Sequence, residues 1–221
     1  WTPLYIHSAG MANSINGDGT LSVELPGEER PDFYAYDPLN PVPSMGGCNC
    51  CNPEIVPWGV YDQRAVEFRD DVLVYTTEPL EEDLEVTGPV VMHLWASTDG
   101  PDTDFTAKLC DVFPDGRSWN LCDGIVRARY RNGRAPASLL EPGEVYKFEI
   151  DMWVTSNVFK AGHRIRIEIS SSNFPRFDRN LNTGGPIGRE TEARTAMQRV
   201  YHDPDRPSHV LLPVVEGVAG S

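Results

Sequence analysis

Between Thr87 and Arg131 the chain reads TGPVVMHLWASTDGPDTDFTAKLCDVFPDGRSWNLCDGIVRARYR, and this stretch constrains the fold more than any other. Val90 to Ala96 is apolar on both faces, which predicts a central strand covered on both sides. After the polar turn Ser97 to Asp102, Phe105, Ala107 and Leu109 alternate with Asp104, Thr106 and Lys108, the period-2 pattern of a half-buried strand. Pro114-Asp115-Gly116 supplies a hairpin turn, because proline presets φ and glycine accepts a positive one. Trp119 and Leu121 return on one face. Beyond Asp123-Gly124 the apolar phase moves to Val126, Ala128 and Tyr130, with Arg127, Arg129 and Arg131 opposite, a slip that predicts a β-bulge at the glycine. Three consecutive antiparallel strands are expected, and none of this stretch has the make-up of a catalytic centre.

The same alternation recurs elsewhere. Phe148, Ile150, Met152 and Val154 line one face of a long strand, and Ile165, Ile167 and Ile169 one face of the next, with Arg164, Arg166 and Glu168 opposite. Shorter strands are expected at Leu4 to Ile6, Leu21 to Leu25, Val72 to Thr76 and Val210 to Val215, and a turn or single helical turn at Ser156 to Ala161. Glu190 to Tyr201 is the one candidate helix, with a strand from Ala196 to Tyr201 as its alternative. Pro26 to Pro57 reads as a long irregular loop, too aromatic for a disordered linker. With 19 prolines and 19 glycines to turn many short strands and no internal repeat, the class is all-β, a jelly-roll sandwich.

At 221 residues the chain can bury one sizeable core. No apolar run approaches the roughly 18 residues of a helical membrane span. A net charge of -14 argues against nucleic acid and anionic membranes as partners. No leader sequence is evident at Trp1, and a start within strand-like sequence suggests a piece of a longer protein. The five cysteines leave the compartment open, with a cytoplasmic setting as the default. Cys110 and Cys122 flank the Asp115-Gly116 turn, as a disulfide or as two thiols. Cys48, Cys50 and Cys51 form a C-x-C-C cluster without the second ligand pair that a zinc site needs, so no metal is expected.

Chemistry-bearing motifs are missing. There is no G-x-S-x-G elbow, P-loop, dinucleotide fingerprint or H-E-x-x-H, and hence no expected cofactor. The histidines are scattered and form no carboxylate-His-nucleophile grouping legible in sequence. Asp102 and Asp104 read as solvated turn residues rather than a glycosidase pair. Trp58 and Trp119 are candidate sugar-stacking platforms, although Trp119 is in phase with Phe113 and Leu121 and is expected in the core.

The segments YAYDPLNPVPSMGG, YDQR, LEVTGPV, DTDFTAKLCDVFPDGR, LCDGIVRARYR, SNVFKAGHRIRIEISSSNFPRFDRN and HVLLPVV, in that order, resemble one family along the chain from Leu4 to Val215. This is the C-terminal, non-catalytic jelly-roll domain of the X-Pro dipeptidyl-peptidase-like serine hydrolases, a family that includes bacterial cocaine esterases, α-amino acid ester hydrolases and glutaryl-cephalosporin acylases. The resemblance implies a galactose-binding-like fold over residues 1–221 and a catalytic triad in an upstream α/β-hydrolase domain, so no catalytic residue is carried onto this chain. It implies that domain as the partner, a small ester or amide as the substrate reached through it, and it admits a homo-oligomer. The segment after Gly46-Gly47 would approach the substrate pocket, which makes Cys50, Cys51 and Trp58 the candidate rim residues. CNCCNPEIVPW stands there in place of the bulky apolar residues of cocaine esterases. The competing expectations are a stand-alone carbohydrate-binding module and a stand-alone enzyme built on Asp/Glu pairs.

Overall fold

A computed structural model describes residues 1–49, 52–133 and 135–215. The strands are β1 (Thr2–His7), β2 (Thr20–Ser22), β3 (Asp32–Tyr36), β4 (Leu73–Thr76), β5 (Leu84–Thr98), β6 (Asp104–Val112), β7 (Ser118–Arg127), β8 (Tyr146–Phe159), β9 (Arg164–Ser170), β10 (Ala196–Asp203), β11 (Arg206–Pro207) and β12 (His209–Leu212). The helix α1 (Arg64–Glu67) and a 3₁₀ turn at Ala128–Tyr130 are the only helical pieces among the described residues.

β5 is the axis of the sheet. One edge pairs with β8 from Leu84↔Phe159 to Ala96↔Tyr146. Its other edge holds β10 and then β12. From β12 the ladder continues through β1, β2, β4, β9 and β6 to β7, while β3 extends it beside β10. The ladder folds back on itself, so Phe105 of β6 meets Phe148 of β8 across the core with ring centroids 4.9 Å apart. At one side of this closure β7 lies hard against β8, where a Cβ on Gly124 would stand 2.0 Å from the Asp151 carbonyl oxygen. The result is the jelly-roll β-sandwich expected from the alternation, with Met92, Leu94, Leu109, Ile150 and Ile167 fully buried between its layers.

Several local expectations are corrected. β6 pairs with β7 and β9, not with β5, so the stretch from 87 to 131 is split between the two layers. β5 is central, but Val91, His93 and Trp95 on its second face are only half-buried. β6 is buried on both faces, Asp104, Thr106 and Lys108 included, because the chain from 42 to 68 and the loop after β9 cover its outer side. The bulge lies at Leu121, between the pairs Leu109↔Cys122 and Cys110↔Asn120, three residues before Gly124. That offset also keeps Cys110 and Cys122 from facing each other, and both are free thiols.

The remaining corrections follow from tertiary pairing. Asp32–Tyr36, expected as loop, is a strand because β10 offers it an edge. The candidate helix is not formed; β10 occupies Ala196–Asp203 instead. β8 runs on to Phe159 past a bulge at Met152-Trp153, which turns Val154 out to solvent. Trp119 points outward and is 37% exposed, whereas Asn120 and Cys122 of the same strand are buried. Arg129, expected in solvent, is buried and ion-paired to Asp102 at 2.8 Å, and Asp102 and Asp104 are buried with it.

Candidate functional site

The segment from Met45 to Tyr61 leaves the sandwich and returns to nearly the same point. Gly47 and Gly59 close it with a reciprocal backbone pair, Gly47 N–H to Gly59 O at 2.7 Å and Gly59 N–H to Gly47 O at 3.0 Å. Glycine is required on the way in. Gly46 has φ +74° and a Cβ there would sit 2.4 Å from Gly59 O; Gly47 has φ +113° and lies over the Arg176 guanidinium. Inside the loop, Asn49 Nδ2 donates to Gly46 O at 3.0 Å and to Pro57 O at 3.2 Å.

Both arms are fastened to the sandwich. The leading arm is held by Ser44 N–H to Phe174 O (2.7 Å) and by Ser172 Oγ, which accepts from Val42 N–H (2.8 Å). The trailing arm runs beside β7, with Tyr61 N–H on Asn120 Oδ1 at 2.7 Å and Gln63 N–H on Ser118 O at 2.7 Å. Arg176 and Asn173 both donate to Asp123, so the loop after β9 is tied to the same strand.

Beneath the two arms lies a layer of buried charge. Lys108 Nζ donates to Gln63 Oε1 (2.7 Å) and Glu168 Oε2 (3.0 Å), and Arg166 donates to Glu67 Oε2 (2.6 Å). Burial, and then the neighbouring Glu168, push the Glu67 carboxyl upward. The same two causes hold the Cys110 thiol well above its ordinary value, and it donates to Glu168 Oε1 at 3.3 Å. Glu67, Cys110 and Glu168 stand within 4.8 Å of one another. They do not suit a metal: the thiol is protonated and two cationic side chains already neutralise the carboxylates.

Above this layer, Cys48, Asn49, Asn52, Ile55, Val56, Pro175, Arg176 and Phe177 surround an open cleft of about 380 Å³. Cys48 is an exposed free thiol. Trp58 stands next to the Gly59 closure, on the trailing side of the loop, and is 51% exposed; Val60, just beyond the closure, is equally exposed. Cys50 and Cys51 lie outside the described residues. Trp119 does not offer a free stacking face, since Phe113 lies 4.6 Å from its ring and the Arg117 guanidinium 5.5 Å over it.

The structure also gathers a group that sequence inspection missed. Ser8, His202 and Asp32 meet in a buried cluster: His202 Nε2–H donates to Asp32 Oδ2 (2.9 Å), Nδ1–H donates to Glu29 Oε2 (2.9 Å), and the Ser8 hydroxyl donates to both Asp32 oxygens (2.9 and 2.8 Å). Tyr75 OH adds a further bond to Asp32 at 2.7 Å. The composition is that of a hydrolytic triad, but the geometry denies the chemistry. Ser8 Oγ also stands 3.2 Å from His202 Nε2, but an ionised carboxylate only accepts, so with Asp32 on Nε2 and Glu29 on Nδ1 both nitrogens carry protons and the ring has no lone pair with which to take the serine proton. His202 and Asp32 are also sealed from solvent. Burial alone would lower His202, but Asp32 and then Glu29 outweigh it and raise the imidazolium above its ordinary 6.5. The cluster ties β1, β3, β4 and β10 together and is structural.

The comparisons with known proteins agree with this geometry. Residues 2–211 match the family model of the X-Pro dipeptidyl-peptidase C-terminal non-catalytic domain. A cocaine esterase of Rhodococcus sp. (strain MB1 Bresler) is 51% identical over 222 residues, covering 98% of this chain and 38% of the esterase. Among solved structures, an α-amino acid ester hydrolase superposes with a TM-score of 0.84 at 32% identity, over 97% of this chain and 36% of that one. An aminopeptidase from the marine sediment archaeon Thaumarchaeota archaeon gives 0.84 at 34% identity, with the same coverage. The chain thus spans well under half the length of these relatives, in which the domain is one part of a larger hydrolase chain. Fold, family model and relatives converge: this chain belongs to the X-Pro dipeptidyl-peptidase-like hydrolase family and is its C-terminal, non-catalytic jelly-roll domain.

Proposed function

We propose that residues 1–221 serve as the accessory domain of a serine hydrolase that cleaves esters or amides, with the Ser-His-Asp triad carried by an α/β-hydrolase domain elsewhere in the same parent protein. The observation that carries this reading is the Gly47–Gly59 closure, which presents a loop with exposed Ile55 and Trp58 from a domain whose buried Ser8–His202–Asp32 cluster cannot act as a nucleophile-base pair. The esterase and ester-hydrolase relatives point to acyl transfer. In this role the domain rests one surface on the catalytic domain, and the loop closes the pocket beside the nucleophile. Trp58, Cys50 and Cys51 are the rim residues. They shape the space open to the acyl or leaving group and exclude water from it, while every bond-making step belongs to the other domain.

The test compares this chain alone with the full-length parent, using a nitrophenyl acyl ester. The parent is expected to turn the ester over with saturation kinetics and the chain alone to be silent. Saturable hydrolysis by the chain alone, abolished by a substitution within it, overturns the accessory-domain reading.

A further inference from the structure

We infer that two side-chain amides, Gln63 and Asn49, are positioning residues that set where the pocket loop stands and thereby which acyl groups the enzyme accepts; this rests on the accessory-domain reading above. Gln63 is fully buried at the start of α1 and uses both ends of its amide. Nε2 donates to Met45 O at 2.7 Å and to Tyr61 O at 2.9 Å, the residues at which the loop leaves and rejoins the sandwich. Oε1 accepts from Lys108 Nζ at 2.7 Å, and that ammonium is itself held by Glu168 on β9. One amide therefore ties the two feet of the loop to each other and to the β6–β9 layer. Asn49 repeats the arrangement one level up, spanning Gly46 O and Pro57 O.

Neither link can be replaced by a residue that only fills the space. The carbonyl oxygens of Met45, Gly46 and Pro57 take their side-chain donors from these amides, Tyr61 O accepts from Asn120 N–H at 3.4 Å as well, and the Lys108 ammonium needs an acceptor, so an amide is the group of this size that serves Gln63's two sides. Gln63→Glu keeps the volume and keeps, even strengthens, the contact with Lys108. It also sets a carboxylate against two carbonyls, so the feet are released while the buried anchor survives. Asn49→Asp does the same within the half-buried loop, where folding is not at stake. Because a displacement of about 1 Å at a reacting site can change rates by orders of magnitude, a loosened rim should alter discrimination far more than stability.

In the full-length hydrolase, each variant is assayed for kcat/KM on an acetyl and a benzoyl ester, for Tm, and for acrylamide quenching of Trp58, isolated as the difference from a Trp58→Phe background. The expected result is increased quenching of Trp58 together with a change in the acetyl-to-benzoyl ratio on the order of tenfold, Tm being preserved in Asn49→Asp. Unchanged quenching in both variants overturns the amide clamp, whatever the kinetics do. Increased quenching with an unchanged ratio overturns the role in discrimination while leaving the clamp intact. The accessory-domain reading is separate from both outcomes, because it stands or falls on the silent isolated chain.

Discussion

Arg129 meets Asp102 twice: its backbone N–H donates to Oδ1 at 2.9 Å and its Nε–H to Oδ2 at 2.8 Å. Asp102 is fully buried and Arg129 only 8% exposed, and Asn180 Nδ2 completes the shell of the carboxylate at 2.7 Å. Arg129→Ala should therefore cost about 3–5 kcal/mol, because it strands a buried carboxylate. Urea unfolding measures this. A loss under about 1 kcal/mol would mean that Arg129 behaves as the solvated residue its alternation suggests.

Phe105→Ala and Ile167→Ala should each cost about 2–5 kcal/mol through the cavity they leave. Phe105 packs on Phe148, and Ile167 is paired with both Leu109 and Tyr75; both are fully buried. Denaturant melts of the two variants check the inward phase of β6 and β9.

Gly124→Ala should destabilise by about 3 kcal/mol or more, an overpacking cost at the upper end of the usual range. The added methyl would meet the Asp151 carbonyl carbon and oxygen, backbone atoms that cannot swing away as a side chain could. A near-neutral melt for this variant would show that β7 and β8 are further apart than described.

His202 makes stability depend on pH with a definite sign. Its folded pKa is raised above the unfolded 6.5, so the stabilisation is fully present below 6.5 and is lost as pH rises through the folded value. The wild type should lose stability on the alkaline side of 6.5, and His202→Gln should be less stable at acid pH with a flatter slope above 6.5. Chemical denaturation at a series of pH values decides it; parallel wild-type and variant slopes would show that the Asp32–His202–Glu29 cluster does not titrate as described.

In the full-length enzyme, Trp58→Ala, Cys50→Ala and Cys51→Ala should change kcat/KM between small and large acyl groups more than they change Tm. Kinetics on an acyl series with parallel melts separate the two quantities. A fall in Tm without a change in acyl preference would assign these side chains to structure.

The strand class and the inward faces were legible because each required only local information. Phe148, Ile150 and Met152, or Ile165, Ile167 and Ile169, recur every second residue, and a strand shows one such set to a core wherever it lies. Gly46-Gly47 stood out in the sequence only through the family resemblance; that it brings backbone against backbone, with Gly46 pressed on Gly59 O, is visible only in the fold. Trp119 was misplaced for a related reason: its phase is that of the apolar Leu121, but Leu121 is the bulged residue, and a bulge two positions away reverses which face counts as inside.

What the sequence by itself determined is therefore the all-β class, the inward faces of the long strands and, through its dense motifs, the family. What only the tertiary structure decided is which polar residues are buried and whom they meet. Lys108, Arg166 and Glu168 alternate as a solvent face should, and are buried only because the chain from 42 to 68 lies over them. Asp32 and His202 are 170 positions apart, and Gln63 and Lys108 are 45. Alternation reports that one face of a strand is apolar; it carries no information on whether a distant segment will cover the other. A buried charge is tolerable only when its partner arrives, and that arrival is a property of the folded chain.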